Sequence, residues 1–188
     1  VFHDDPKLFD TKGRNSKEAI MGDIVNLPNG EMSVNIRVST AVAIERLDIF
    51  NGSELIETFK PFSEKDLGNR IRVIWEGAEY RGRFRQTIWD GEAEIYNNEI
   101  LNSNPINFFN PDKSLSNKNN KIKWEALTTG NFGGFDLILK DPYKGEIEIR
   151  TPLITKKVNI EDINYEDKVF DKSNILPRFL KIFRLPLK

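Results

Sequence analysis

The chain has 188 residues, with 28 basic and 29 acidic side chains, one histidine and no cysteine. That length fits one domain burying roughly 70% of its unfolded surface, with no staple required. Balanced charge argues against a general nucleic-acid or anionic-membrane binder, and the lack of cysteine excludes disulfide and thiolate chemistry.

The chain opens on Val1 rather than Met, which points to a processed product or an excised domain. His3, beside Asp4 and Asp5, is the single imidazole. A catalytic zinc or di-metal centre needs several at ligand spacing, and a Ser–His–Asp arrangement needs one held by packed neighbours. A histidine at a chain end is expected to be solvated, so no metal ligand set and no cofactor is assigned. Residues 1–30 are polar and broken by Pro6, Gly13, Gly22, Pro28 and Asn29-Gly30. Residues 1–18 are taken as a lead-in and 19–188 as one domain. No apolar run approaches the roughly 18 residues of a membrane span, and no signal-peptide core is present.

From residue 32 the period is two. "MSVNIRV" puts Met32, Val34, Ile36 and Val38 on one face of a predicted strand. "LDIFNGSELI" predicts a hairpin turning on Asn51-Gly52, pairing Phe50 with Ser53, Leu47 with Ile56 and Arg46 with Glu57. Its Asn-Gly-Ser glycosylation pattern needs a secretory context that nothing else in the chain supports.

Strands are expected at 71–76, 80–89 and 92–96. On a strand through "YRGRFRQTIWDG", Phe84 and Ile88 point to the core, and Arg81, Arg83, Arg85, Thr87 and Trp89 share the second face. Three like charges on one face need counter-charge. A neighbouring strand with Glu76, Glu92 or Glu94, a docked partner, or a small anionic ligand would each supply it. The arginines and Trp89 are therefore the candidate ligand- or partner-binding residues. Trp75 and Trp124 belong to apolar faces, leaving Trp89 as the aromatic available to a sugar platform. Asp90 suits a turn better than a catalytic role, and the carboxylate separation a glycosidase needs is not a sequence property.

"DKSLSNKNNK" (112–121) reads as a polar loop without the acidic spacing of a calcium loop. "KIKWEAL", "FDLILK" and "EIEIR" each alternate apolar and polar residues, and further strands are expected at 153–159 and 178–185. Gly130, Gly133 and Gly134 lead into a strand with no lysine behind them, so a turn or bulge is expected rather than a phosphate loop. Asp141-Pro142-Tyr143-Lys144-Gly145 is turn chemistry.

The strings "IERLDIFNGSELIETF", "RIRVIWEGAEYRGRFRQTIWDG", "INFFNP", "IKWEALTTGNFGGFDLIL" and "RFLKIFRLP" follow one another here. In that order they resemble the C-terminal β-rich region of some bacterial metallohydrolases of the polymerase-and-histidinol-phosphatase (PHP) superfamily. "AIMGDIV" (19–25) resembles the join after their catalytic domain, so the resemblance spans about residues 19–186. It implies an appended domain whose metal-binding histidines and carboxylates lie upstream, in a part this sequence does not contain. The expected fold is all-β, an antiparallel β-sandwich of immunoglobulin-like type with short turns and one long polar loop. The expected function is a non-catalytic accessory domain whose partner is the upstream catalytic domain of the same polypeptide. The alternative is a carbohydrate- or small-anion-binding module.

Overall fold

A computed structural model describes residues 33–78, 85–110, 112–171 and 178–187. The chain divides into two compact units, 1–44 and 45–188. The expected boundary at 18/19 and His3 lie outside the described residues. In the first unit, residues 33–38 form no strand, and Val34, Ile36 and Val38 are exposed. This corrects the strand expected at 32–38. Alternation gives a strand something to bury, yet a strand persists only when a neighbour takes its backbone hydrogen bonds.

The second unit is all-β. In chain order its described strands are β1 Leu47–Asn51, β2 Glu54–Phe59, β3 Arg70–Glu76, β4 Thr87–Ile88, β5 Gly91–Tyr96, β6 Ile100–Ile106 and β7 Ser116–Lys118. They continue with β8 Lys121–Trp124, β9 Leu127–Thr128, β10 Phe132–Leu139, β11 Glu146–Arg150, β12 Thr155–Asn159, β13 Lys168–Asp171 and β14 Phe179–Leu185. Two five-stranded antiparallel sheets run β13-β14-β3-β10-β6 and β12-β11-β5-β8-β7, alongside the two-stranded ribbons β1-β2 and β4-β9.

One core joins the two large sheets. Ile71, Val73 and Trp75 of β3, with Phe135, Leu137 and Leu139 of β10, meet Ile122 and Trp124 of β8 and Ile147 and Ile149 of β11. Trp75 stacks on Trp124 with ring centroids 5.1 Å apart and planes 8° from parallel. β3, β8 and β11 alternate in burial, so their period-2 pattern selects the buried face, and in β10 the same parity places Phe135, Leu137 and Leu139 inward. Gly134 pairs with Ile74 of β3, and a Cβ there would collide with the Val73 carbonyl. Gly133 and Gly134 are therefore strand residues, and only Gly130 lies in the turn ahead of β10.

Two local features differ from expectation, and a third agrees with it. The β1–β2 hairpin forms, but its loop is Gly52-Ser53, closed by Asn51 opposite Glu54. Gly52 has φ of +61°, and positive φ at only the first loop position is the pattern of a type II′ turn. A bulge then skips Ile56, so Leu47 faces Phe59 and Ile49 faces Glu57, instead of the expected Leu47–Ile56 and Arg46–Glu57 pairs. The expected loop 112–121 contains β7, turned back onto β8 by Asn119 and Asn120 with φ of 52° and 60°. Asparagine tolerates that left-handed conformation, and Asn120 also accepts from the Ile100 N–H at 3.0 Å and donates to the Asn98 carbonyl at 3.0 Å. The turn at 141–145 is as expected: the Asp141 carboxylate accepts from the backbone N–H groups of Tyr143 and Lys144.

Arg184 was not singled out in the sequence, yet it is almost fully buried. It shares the inward parity of Leu180 and Ile182. Its guanidinium donates to the carbonyls of Ile163 at 2.8 Å, Gly68 at 3.1 Å and Ile160 at 2.6 Å, with the Tyr143 ring 5.0 Å from Cζ. Burial pulls its pKa below the ordinary arginine range.

Candidate interaction surfaces

Of the expected arginine face, Arg81 and Arg83 lie outside the described residues. Arg85 is exposed and makes no ion pair among the described residues. Trp89 is a correction. It is fully buried, with Nε1 donating to Thr128 Oγ1 at 2.9 Å and its carbonyl accepting from Trp124 Nε1 at 2.5 Å. An indole enclosed on all sides cannot floor a sugar groove. Thr87 is buried with it, while Ile88 is 49% exposed, so the two faces are inverted from expectation. The reason is length: β4 has two residues, and residues 85 and 86 are not strand, so parity counted from Tyr80 does not carry through.

Glu92 and Glu94, expected as counter-charges, belong to another network. On the outer face of the second sheet the cross-strand neighbours are Lys123–Glu92–Arg150 and Lys121–Glu94–Glu148–Lys157. Arg150 reaches Glu92 at 2.8 Å and Glu148 at 2.5 Å, and Lys121 reaches Glu92 at 2.9 Å. Tyr96 Oη lies 2.9 Å from a Glu94 oxygen and 3.0 Å from a Glu148 oxygen. Hydrogen bonds to Glu148 and Glu92 raise Arg150 further above its ordinary range, and the same Arg150 contact lowers Glu148. These side chains satisfy one another, which makes the face a solvated lattice rather than a reactive site.

The outer face of the first sheet carries a drier cluster. Asp136 accepts from Arg70 Nε at 3.1 Å and from Arg72 Nε at 2.6 Å and Nη2 at 2.8 Å. Glu45 bridges the same two arginines. At the sheet end Glu76 stands between Phe132 and Phe179 in the strand register. Burial pushes its carboxyl above the ordinary glutamate range, against the pull of Lys181 and Arg46. The raised folded value means its stabilising contribution is complete below the unfolded pKa and is lost as pH rises through the folded one. Glu76→Gln is therefore expected to abolish that fall and to be more stable than the parent at neutral pH. Urea midpoints on both sides of the window test this, and parallel profiles for the two proteins would contradict it.

Among the described strands, the β1–β2 ribbon pairs only with itself, forming an arm. Its base is locked: Arg46 binds Asp48 at 2.6 Å and Asp167 at 2.8 Å, and Lys60 binds Asp167 at 3.2 Å and the Tyr165 carbonyl. Burial raises the Asp48 pKa, but hydrogen bonds from Arg46 and Thr58 outweigh it and hold the carboxyl below its ordinary range. Toward the turn the reverse holds: Phe50, Leu55 and Ile56 are 57, 49 and 58% exposed, as is Phe59 (57%) nearer the base, among Glu54 and Glu57, which have no ion pair among the described residues.

No family model, curated protein or solved structure matches the chain.

Physical chemistry therefore has to rank the surfaces. A cleft of about 320 Å³ lies between Gly91, Lys113, Ser114, Lys123, Trp124 and Glu125, wide open and lined by both signs of charge, with Lys113 3.6 Å from Glu125. It offers a ligand little enclosure, since binding sites bury most of what they hold. The charged faces are internally paired. Exposed apolar side chains also occur elsewhere among the described residues, as at Ile88 and Leu127 of the β4-β9 ribbon, but the arm groups four large ones on one short ribbon, which is costly unless something covers them.

Proposed function

We propose that this chain is a non-catalytic accessory domain of a PHP-type metal-dependent phosphoesterase, an immunoglobulin-like β-sandwich that docks on the upstream catalytic domain of the same polypeptide. The ordered strings from "IERLDIFNGSELIETF" to "RFLKIFRLP" support the family reading. Two five-stranded antiparallel sheets sharing one core are consistent with the sandwich. The observation that carries the docking role is the arm: ion pairs fix its base, and its apolar side chains are left for a partner. Arg85, exposed as Ile88 is, is available as a secondary contact.

The reading frame upstream of Val1 tests the proposal. It is expected to encode a metal-binding domain rich in histidine and carboxylates, and a frame that encodes none would overturn it. The isolated chain is expected to show no metal-dependent phosphoesterase activity. Activity that disappears on changing one of its own acids would make it an enzyme instead.

A further inference from the structure

Resting on the docking role just given, the chemistry of the arm narrows what covers it. Edge strands of a folded sheet are normally guarded against further pairing by lysine, proline or short length. Four described edges of the large sheets follow that rule. β6 carries Pro105, β7 is three residues long and ends in Lys118, β12 carries Lys156 and Lys157, and β13 opens on Lys168. β2 has neither lysine nor proline. One of its edges is taken by β1, and the other pairs with no described strand.

The charge on β2 selects the occupant. Glu54 and Glu57 flank Leu55 and Ile56, and no base answers them among the described residues. Pairing β2 with β2 of a second copy would put four carboxylates on one short ribbon, and like charges across strands are destabilising. An extended segment alternating lysine or arginine with apolar residues meets all three demands at once: the open backbone edge, the apolar side chains and the acids.

We propose that the partner adds such a cationic strand to the free edge of β2, making the arm a three-stranded sheet by strand addition. Main-chain hydrogen bonds supply the binding, and the two glutamates set its preference for a basic strand.

The probes are three end-capped, fluorophore-labelled peptides offered to the 188-residue chain. One alternates lysine and valine, one alternates glutamate and valine, and one is the lysine peptide with alternate backbone nitrogens methylated. Saturable binding of the lysine peptide is expected, with slowed hydrogen exchange across 54–59. The methylated peptide keeps the charge but loses donors, and is expected to bind about tenfold more weakly or less. Exchanging both acids, Glu54→Lys with Glu57→Lys, is expected to reverse the preference toward the glutamate peptide. Equal binding of the lysine and methylated peptides, binding without protection of 54–59, or no binding would each overturn the proposal. A missing metal-binding domain upstream would defeat the phosphoesterase reading and leave this result untouched.

Discussion

Trp75→Ala is expected to lower the free energy of unfolding by about 3–5 kcal/mol, the range for deleting a large aromatic from a closed core. Against a typical total of roughly 5–15 kcal/mol, that loss leaves the domain marginal at 37 °C. Trp75 is fully buried and is held on three sides. Trp124 stacks on it, the Phe108 ring meets it edge-on at 6.2 Å, and Phe135 lies 5.9 Å away. These contacts come from both large sheets, so the cavity would open where the layers meet and neither sheet could collapse to fill it. Trp75→Phe separates volume from polarity. The buried Trp75 Nε1 has no hydrogen-bond partner among the described residues, so phenylalanine gives up no bond and removes an unsatisfied donor. Trp89→Phe makes the same change in size but loses the bond to Thr128, and it is expected to cost about 1 kcal/mol more than Trp75→Phe. Chemical denaturation followed by far-UV circular dichroism measures all three. Equal costs for the two phenylalanine variants would contradict these assignments.

Arg184→Met is expected to cost about 2–3 kcal/mol, although methionine fills much of the same space without a buried charge. The guanidinium is the donor for the Ile163 and Gly68 carbonyls, and a buried acceptor left unmet costs about 1–3 kcal/mol. Removing a desolvated cation offsets part of that loss. Ile160 keeps a second donor, the Ile163 N–H at 3.2 Å, so it adds little. Arg184→Lys is expected to recover only part of the stability, because one ammonium cannot reproduce a fork that reaches three carbonyls. Should Arg184→Met match or exceed the parent in denaturation midpoint, the clamp assigned to Arg184 would be wrong.

Both residues bear on what the sequence disclosed. Trp75 was legible: it shares parity with Ile71 and Val73 on a seven-residue strand, long enough for alternation to fix its face. The same logic placed Trp124, and the runs at 121–124, 135–139 and 146–150 became strands for the same reason. Parity failed where strands were short or irregular. β4 is two residues long, so Trp89 turned inward and Ile88 outward, and the loop at Gly52-Ser53 together with a bulge at Ile56 moved the hairpin register by local geometry that residue types do not encode. Trp89 had a usable signal nonetheless, since an indole gains more from burial than an isoleucine side chain does. Arg184 had one too, an arginine on the parity of Leu180 and Ile182, which marks either an outward face or a buried clamp.

The candidate surface was less legible than the fold. The apolar residues of "ELIETF" say that part of this strand seeks cover, without saying whether the cover is the chain's own core. That distinction is tertiary, set by the ion pairs from Arg46 and Lys60 that fix the arm at its base. The segment 33–38 teaches the converse, since a clean strand pattern there found no described neighbour to pair with.

Backbone hydrogen exchange across residues 54–59 tests the proposed docking role of the arm most directly. It should be measured in the 188-residue chain and in the full polypeptide its gene encodes. Fast exchange is expected in the chain alone and strong protection in the full polypeptide, with the first sheet equally protected in both. Equal exchange across 54–59 in the two proteins would contradict it.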